Sequence, residues 1–192
     1  MATYLWYPFN DGTGFKVLDD LMPAFGGDPA HYQSPKYGEL YKFDGGATTS
    51  PAGMWDAVDN DEVWIIGHSA SGYKVLGDAV GGTIDQSEVV TRLKGCGLRA
   101  NVNANIIVYA CFSGRGEGCL AEKIATQLDN ERYACAQRVY GFTKKMLTTA
   151  KKDATGTKVI HADMGTKQAP NWTPIQFVED LVKVHKAPNP GG

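Results

Sequence analysis

Cysteine is scarce in this sequence: 192 residues hold only Cys96, Cys111, Cys119 and Cys135, with no C-x-x-C pair among them. So few thiols cannot staple a chain of this length, and the missing pair argues against both a zinc site and a thioredoxin-like centre. Reduced thiols are the expectation, although spacing alone leaves a Cys119–Cys135 bridge open. Excess charge is missing as well. With 19 basic against 21 acidic residues, little is available to release counterions from nucleic acid or anionic lipid, so neither is expected as a partner. No run approaches the roughly 18 to 20 consecutive apolar residues that span a bilayer, and Met1 to Pro8 lacks the basic start and apolar run of a secretory signal. The cytoplasm is the default location, with export by a specialised secretion machine left open. The 23 glycines follow no fixed period, which excludes a repeat architecture.

What is present suits a globular chain: 43% of residues are apolar and 21% charged. One domain over residues 1–187 is expected, with residues 188–192 a flexible tail. Thr3 to Phe9 reads as a strand, and the recurrence of Val17, Leu18, Leu21 and Met22 predicts a helix over 13–25. Residues 28–60 read as loop, with Gly38 to Phe43 the fragment most like a strand and a hairpin allowed. Glu62 to Ile66 and Asn105 to Ala110 are short, nearly continuous apolar runs, the pattern of strands buried on both faces. Helices are expected from Ser87 to Gly95 and around Leu120, Ile124 and Leu128. Further strands are read at Arg138 to Phe142 and Lys158 to Ala162. The capping box Thr173-Pro-Ile-Gln176 predicts a last helix to His185. Strands alternating with helices argue an α/β sandwich with a largely parallel sheet.

In such a sheet, functional groups gather beyond the carboxyl ends of the strands. Two strands end there in chemistry. Glu62-Val-Trp-Ile-Ile66 runs into Gly67-His68-Ser69-Ala70, and Asn105-Ile-Ile-Val-Tyr109-Ala110 runs into Cys111-Phe112-Ser113-Gly114. Neighbouring strands would bring a thiol and an imidazole to one crevice. Peptide hydrolysis needs a nucleophile, donors for the oxyanion and an acid for the departing amine. Cys111 and His68 supply the first and third. Backbone N–H groups at Cys111 and just after His68 are candidates for the second, with Gly67, Ser69, Ala70 and Ser113 lining the cleft. A helix beginning near Glu117 would favour a thiolate if its N-terminus faced the sulfur. Tyr109 and His161 are candidate substrate-pocket residues.

Val63-Trp-Ile-Ile-Gly-His68-Ser and Ile106-Ile-Val-Tyr-Ala-Cys111-Phe-Ser-Gly114, 43 positions apart from His68 to Cys111 with a helix between, resemble the dyad motifs of the caspase-like cysteine peptidases. That superfamily also holds clostripain, gingipains, legumain, metacaspases and the self-cleaving domains of bacterial toxins. The resemblance covers mainly residues 62–143. It implies a three-layer αβα sandwich, with Cys111 as nucleophile, His68 as general acid/base and a thioacyl intermediate. No metal or organic cofactor is implied. Partners would be a peptide or protein substrate and, in this class, an activator or inhibitor protein. The family His is usually followed by Gly, whereas Ser69 and Ala70 follow here. Arg-specific relatives carry an acid two positions before the nucleophile, where this chain has Tyr109, so the comparison points to an uncharged residue on the acyl side of the cleaved bond. The pairs Lys144-Lys145 and Lys151-Lys152 are candidates for an anionic effector, such as the polyphosphate bound by resembling toxin domains, with a solvated loop the plainer reading.

Two rivals stand beside this reading. Gly67-His-Ser69-Ala-Ser71 approximates the G-x-S-x-G elbow of an α/β-hydrolase, with Ser69 as nucleophile and Asp129 or Asp153 plus His161 completing a triad. That elbow lacks its last glycine and needs an immediate helix, which Gly72, Gly77, Gly81 and Gly82 disfavour. The other rival is a non-catalytic domain of the same fold used for binding.

Overall fold

Val63, Trp64, Ile65 and Ile66 are each at most 1% exposed, so the strand they form is covered on both faces and belongs in the middle of a sheet. The computed structural model describes residues 2–9, 30–34, 38–43, 54–147, 151–152, 154–155, 158–159, 161–163, 172–174 and 181–183. In chain order these give β1 (Thr3–Tyr7), β2 (Ala30–Ser34), β3 (Gly38–Phe43), β4 (Glu62–Ile66), β5 (Leu76–Gly77) and β6 (Thr83–Ile84). Then come α1 (Gln86–Gly95), β7 (Asn105–Tyr109), α2 (Leu120–Asn130), β8 (Val139–Phe142) and β9 (Lys145–Met146). The chain continues through β10 (Lys151–Lys152), β11 (Lys158–Val159), β12 (His161–Asp163), β13 (Trp172–Pro174) and β14 (Leu181–Lys183).

Seven strands form the main sheet in the order β14-β8-β7-β4-β1-β3-β2. β1, β4, β7 and β8 run parallel. β3, β2 and β14 add antiparallel edges. The parallel strands β1, β4, β7 and β8 follow one another across the sheet in chain order, while β2 and β3, between β1 and β4 in the chain, lie on the other side of β1. Right-handed crossovers then place α1 and α2 on the same face, where they pack against each other. Asp85 caps α1 by accepting from the Glu88 N–H at 2.9 Å, and Val89, Val90 and Leu93 face the core. α2 buries Leu120, Ala121, Ile124, Ala125 and Leu128, the stripe its i, i+4 spacing predicts. No described helix is long and apolar enough to cross a membrane.

The α/β class and the parallel centre agree with the sequence reading, and the region read as loop contributes the hairpin β2–β3. The expected helix over 13–25 and the tail 188–192 lie outside the described residues. One helix is overturned. In place of a helix from Thr173 to His185 the structure has strands β13 and β14, the latter paired with β8 from Leu181↔Phe142 to Lys183↔Tyr140. The capping box is a local signal, and the open hydrogen-bonding edge of β8 outweighs it.

Candidate active site

The register between β4 and β7 sets the site. Glu62 pairs with Asn105 and Ile66 with Tyr109, an offset of 43 positions. The ladder continues one residue further, because the Gly67 N–H donates to the Tyr109 carbonyl at 3.2 Å. His68 and Cys111 are separated by this same offset, so they leave neighbouring parallel strands at the same level of the carboxyl edge. The main chain of His68 is clamped by Gly77 of β5 through two hydrogen bonds of 2.8 Å. Gly67 is fixed by packing, since a Cβ there would meet Leu76 at 2.6 Å. The half-buried His68 side chain makes no hydrogen bond with any described residue.

After Cys111 the chain turns sharply inward. Phe112 takes the left-handed conformation at φ 58°, costly for a residue with a bulky side chain and maintained here by the bonds around it. The Phe112 N–H donates to the Lys144 carbonyl at 3.0 Å and the Gly114 N–H to the Phe142 carbonyl at 2.9 Å. Ser113, expected to line the cleft, is fully buried instead. Its hydroxyl donates to the Val108 carbonyl at 2.6 Å and accepts from the Phe142 N–H at 3.0 Å, pinning the turn to both strands beneath it.

The Cys111 thiol is half-buried and engaged by one residue of β9. Sγ accepts from the Met146 N–H at 3.2 Å and donates to the Met146 carbonyl at 3.6 Å. Burial pushes the thiol above its ordinary pKa, and the Met146 N–H and the Lys145 charge only partly oppose that. Tyr109, expected in the substrate pocket, is 2% exposed, and its ring packs with those of Trp64 and Phe142. Its hydroxyl donates to the Leu147 carbonyl, and burial raises its pKa so that it remains a donor. Tyr109 therefore anchors the 144–147 strap rather than touching substrate. At the start of α2 the Ala121 N–H donates to the Ser113 carbonyl at 2.9 Å. The strand register puts Ala162 opposite Met146, so His161 lies on the strand beside the strap; its side chain is outside the described residues.

All four cysteines are free, which settles the Cys119–Cys135 bridge in the negative. Cys96, Cys119 and Cys135 are buried, and burial pushes the Cys96 and Cys135 thiols up to about 12. Iodoacetamide at pH 8 is therefore expected to modify Cys111 ahead of the other three. Its rate should keep rising through pH 9, because the raised pKa delays ionisation. A rate already flat below pH 7, measured by mass spectrometry of the labelled peptides, would instead reveal a preformed thiolate.

The N–H groups of Cys111 and Ser69 donate to no carbonyl among the described residues, which leaves both available at the two strand ends. Ala70 is exposed, its carbonyl accepting from the Tyr73 N–H at 2.9 Å. The Ser69 hydroxyl oxygen is buried without a hydrogen-bond partner. The serine-elbow geometry is not formed: a turn and the β5–β6 hairpin follow Ser69 where a helix is required, and the left-handed residue stands after Cys111 instead. Lys145 is built into β9, and Lys151–Lys152 form β10 of a separate two-stranded sheet. Among the described residues no group of three or more His, Cys, Asp or Glu converges as metal ligands.

Two features of the site were not read from the sequence. One is the strap at 144–147, whose hold on Cys111 is made by main-chain atoms that no side-chain pattern encodes. The other is the contact of Gly114 with Gly141, for which the isolated glycine inside β8 is a usable signal. Comparison with known protein families, characterised proteins and solved structures finds no match.

Proposed function

We propose that this chain is a caspase-like cysteine endopeptidase in which Cys111 attacks the scissile carbonyl and His68 carries the proton. The observation that supports this most directly is the shared offset of 43: the β4–β7 register and the His68–Cys111 spacing coincide, so thiol and imidazole belong to one carboxyl-edge crevice. The finer likeness to caspase-like folds rests on the two dyad motifs and the parallel centre they terminate.

The steps follow from the groups present. The imidazole of His68 removes the Sγ proton, breaking the thiol's bond to the Met146 carbonyl, while the Met146 N–H keeps donating to the thiolate. Sulfur bonds to the carbonyl carbon, and the negative oxygen is met by the N–H groups of Cys111 and Ser69. The imidazolium gives its proton to the amine nitrogen as the C–N bond breaks, leaving a thioacyl enzyme. Water, deprotonated by His68, then bonds to the acyl carbon, the C–S bond breaks, and the imidazolium returns its proton to Sγ, releasing the acid and restoring the thiol.

The test is digestion of a mixed peptide library and a simple acyl ester by wild type, Cys111→Ala and Ser69→Ala, read by mass spectrometry. Peptide cleavage by wild type that disappears with Cys111→Ala is expected. Ester turnover lost only with Ser69→Ala would replace this reading with a serine hydrolase, and a wild type inert toward both would favour a binding domain.

A further inference from the structure

The sulfur of Cys111 is met by main chain rather than by a side chain. Its hydrogen-bond partners on other described residues are the N–H and the carbonyl of Met146, with Sγ and the amide nitrogen 3.2 Å apart. That nitrogen is held in place from three directions. The Lys144 carbonyl accepts from the Phe112 N–H at 3.0 Å, the Leu147 carbonyl accepts from the Tyr109 hydroxyl, and Met146 stands opposite Ala162 in the pairing of β9 with β12. Met146 itself is 5% exposed, so the contact is largely closed to water.

Such a contact has a chemistry of its own. A sulfenic acid condenses either with a thiol, giving a disulfide, or with a backbone nitrogen, giving a sulfenamide. At Cys111 the nitrogen is already in contact, whereas all four cysteines are free and Cys96, Cys119 and Cys135 are buried. Cys111 alone of the four is only half-buried, so a molecule as small as hydrogen peroxide meets it first. The Lys145 charge favours the thiolate that attacks peroxide, against the burial that opposes it.

We infer that Cys111 and Met146 form a redox modification site: hydrogen peroxide converts the thiol to a sulfenic acid, and the Met146 amide nitrogen then displaces the hydroxyl to give a covalent S–N bond. In the first step the thiolate attacks one peroxide oxygen, the O–O bond breaks, and the departing hydroxide takes up the thiol's proton as water. Sulfur is oxidised and peroxide is reduced. In the second step nitrogen bonds to sulfur, the S–O bond breaks, and the N–H proton leaves with the hydroxyl as a second water. Two equivalents of a thiol reverse the modification. The first opens the S–N bond to a mixed disulfide and returns a proton to nitrogen, and the second frees Cys111 and leaves as a disulfide. While it lasts, the bond ties the turn after β7 to the strap and keeps sulfur from the irreversible sulfinic and sulfonic acids. The site needs only the thiol and the strap, so it stands apart from the peptidase reading.

The test is exposure of the folded protein to hydrogen peroxide with dimedone present, then digestion without reductant and tandem mass spectrometry. A peptide containing Cys111 joined to one containing Met146, about 2 Da lighter than the two together, is expected. It should exceed the dimedone adduct of Cys111 by about tenfold, because the nitrogen is held in place while dimedone must diffuse in. Dithiothreitol should return both peptides to their original masses. The same treatment of the protein unfolded in guanidinium should give the dimedone adduct without the link, since only the fold brings residues 111 and 146 together. Cys111 found mainly as the dimedone adduct or sulfinic acid, joined to another cysteine, or bonded to the nitrogen of its neighbour Phe112 overturns the inference. So does a link of equal yield in the unfolded chain.

Discussion

Replacing His68 by alanine is expected to lower kcat/KM by about 10²–10⁴-fold, the usual worth of a positioned general base. The reason lies in the resting state of the nucleophile. Burial holds the Cys111 thiol above its ordinary pKa, so little thiolate exists at neutral pH without a base to make it. The atoms bonded to Sγ are the Met146 N–H, which only donates, and the Met146 carbonyl, which cannot keep a proton. The Lys145 charge draws the thiol pKa down but only partly offsets the burial. The substitution should spare the fold, because the bridge to Gly77 is made by the main chain of residue 68. Two readouts separate loss of a base from loss of structure. Residual hydrolysis by His68→Ala should climb as pH rises through the thiol's ionisation, and iodoacetamide labelling of Cys111 above pH 9 should persist. Activity within about tenfold of wild type at pH 7 would remove His68 from the mechanism.

The strand ends were legible because β4 and β7 are buried on both faces, which leaves runs such as Val63 to Ile66 no competing periodicity. Their common register was not readable in itself, but an offset equal to the His68–Cys111 spacing is what two matched strand-to-turn motifs produce. α1 was legible in the stretch from Ser87 to Gly95 and α2 in the Leu120, Ile124, Leu128 stripe. The roles of Tyr109 and Ser113 were not. Both stand two positions from Cys111, and proximity in sequence suggested the cleft. The left-handed Phe112 instead rolls Ser113 under the turn, and the Trp64 and Phe142 rings draw Tyr109 into the core. Lys144-Lys145 read as solvated charge because its hold on the site belongs to the backbone. The last helix failed where a capping signal met the edge of β8, whose carbonyls and N–H groups are satisfied by β14.

Alanine at Gly141 or Gly114 should be among the most damaging small substitutions at the described residues. Here two backbones touch. A Cβ on Gly114 would lie 2.6 Å from the carbonyl carbon of Gly141, and one on Gly141 would lie 2.6 Å from Gly114 Cα and 2.8 Å from Ala121 Cβ. Main-chain atoms cannot rotate aside as a side chain would, so either the turn or β8 must move. Overpacking of this kind costs about 1–3 kcal/mol and sometimes more. For a chain of this size that is a fall in Tm of about 2–12 °C, measured by thermal unfolding. Gly77→Ala is the control, since its Cβ would meet nothing closer than 3.5 Å and its effect should be small. The pair shares one contact, so the double variant should cost less than the two single losses together. Catalysis should fall further than stability alone explains. The Gly114 N–H and the Ser113 hydroxyl tie the Cys111 turn to β8, and a shift of a few tenths of an ångström there moves Sγ away from Met146 and from the level of His68. Gly114→Ala or Gly141→Ala with a wild-type Tm would mean that this contact does not hold the turn in place.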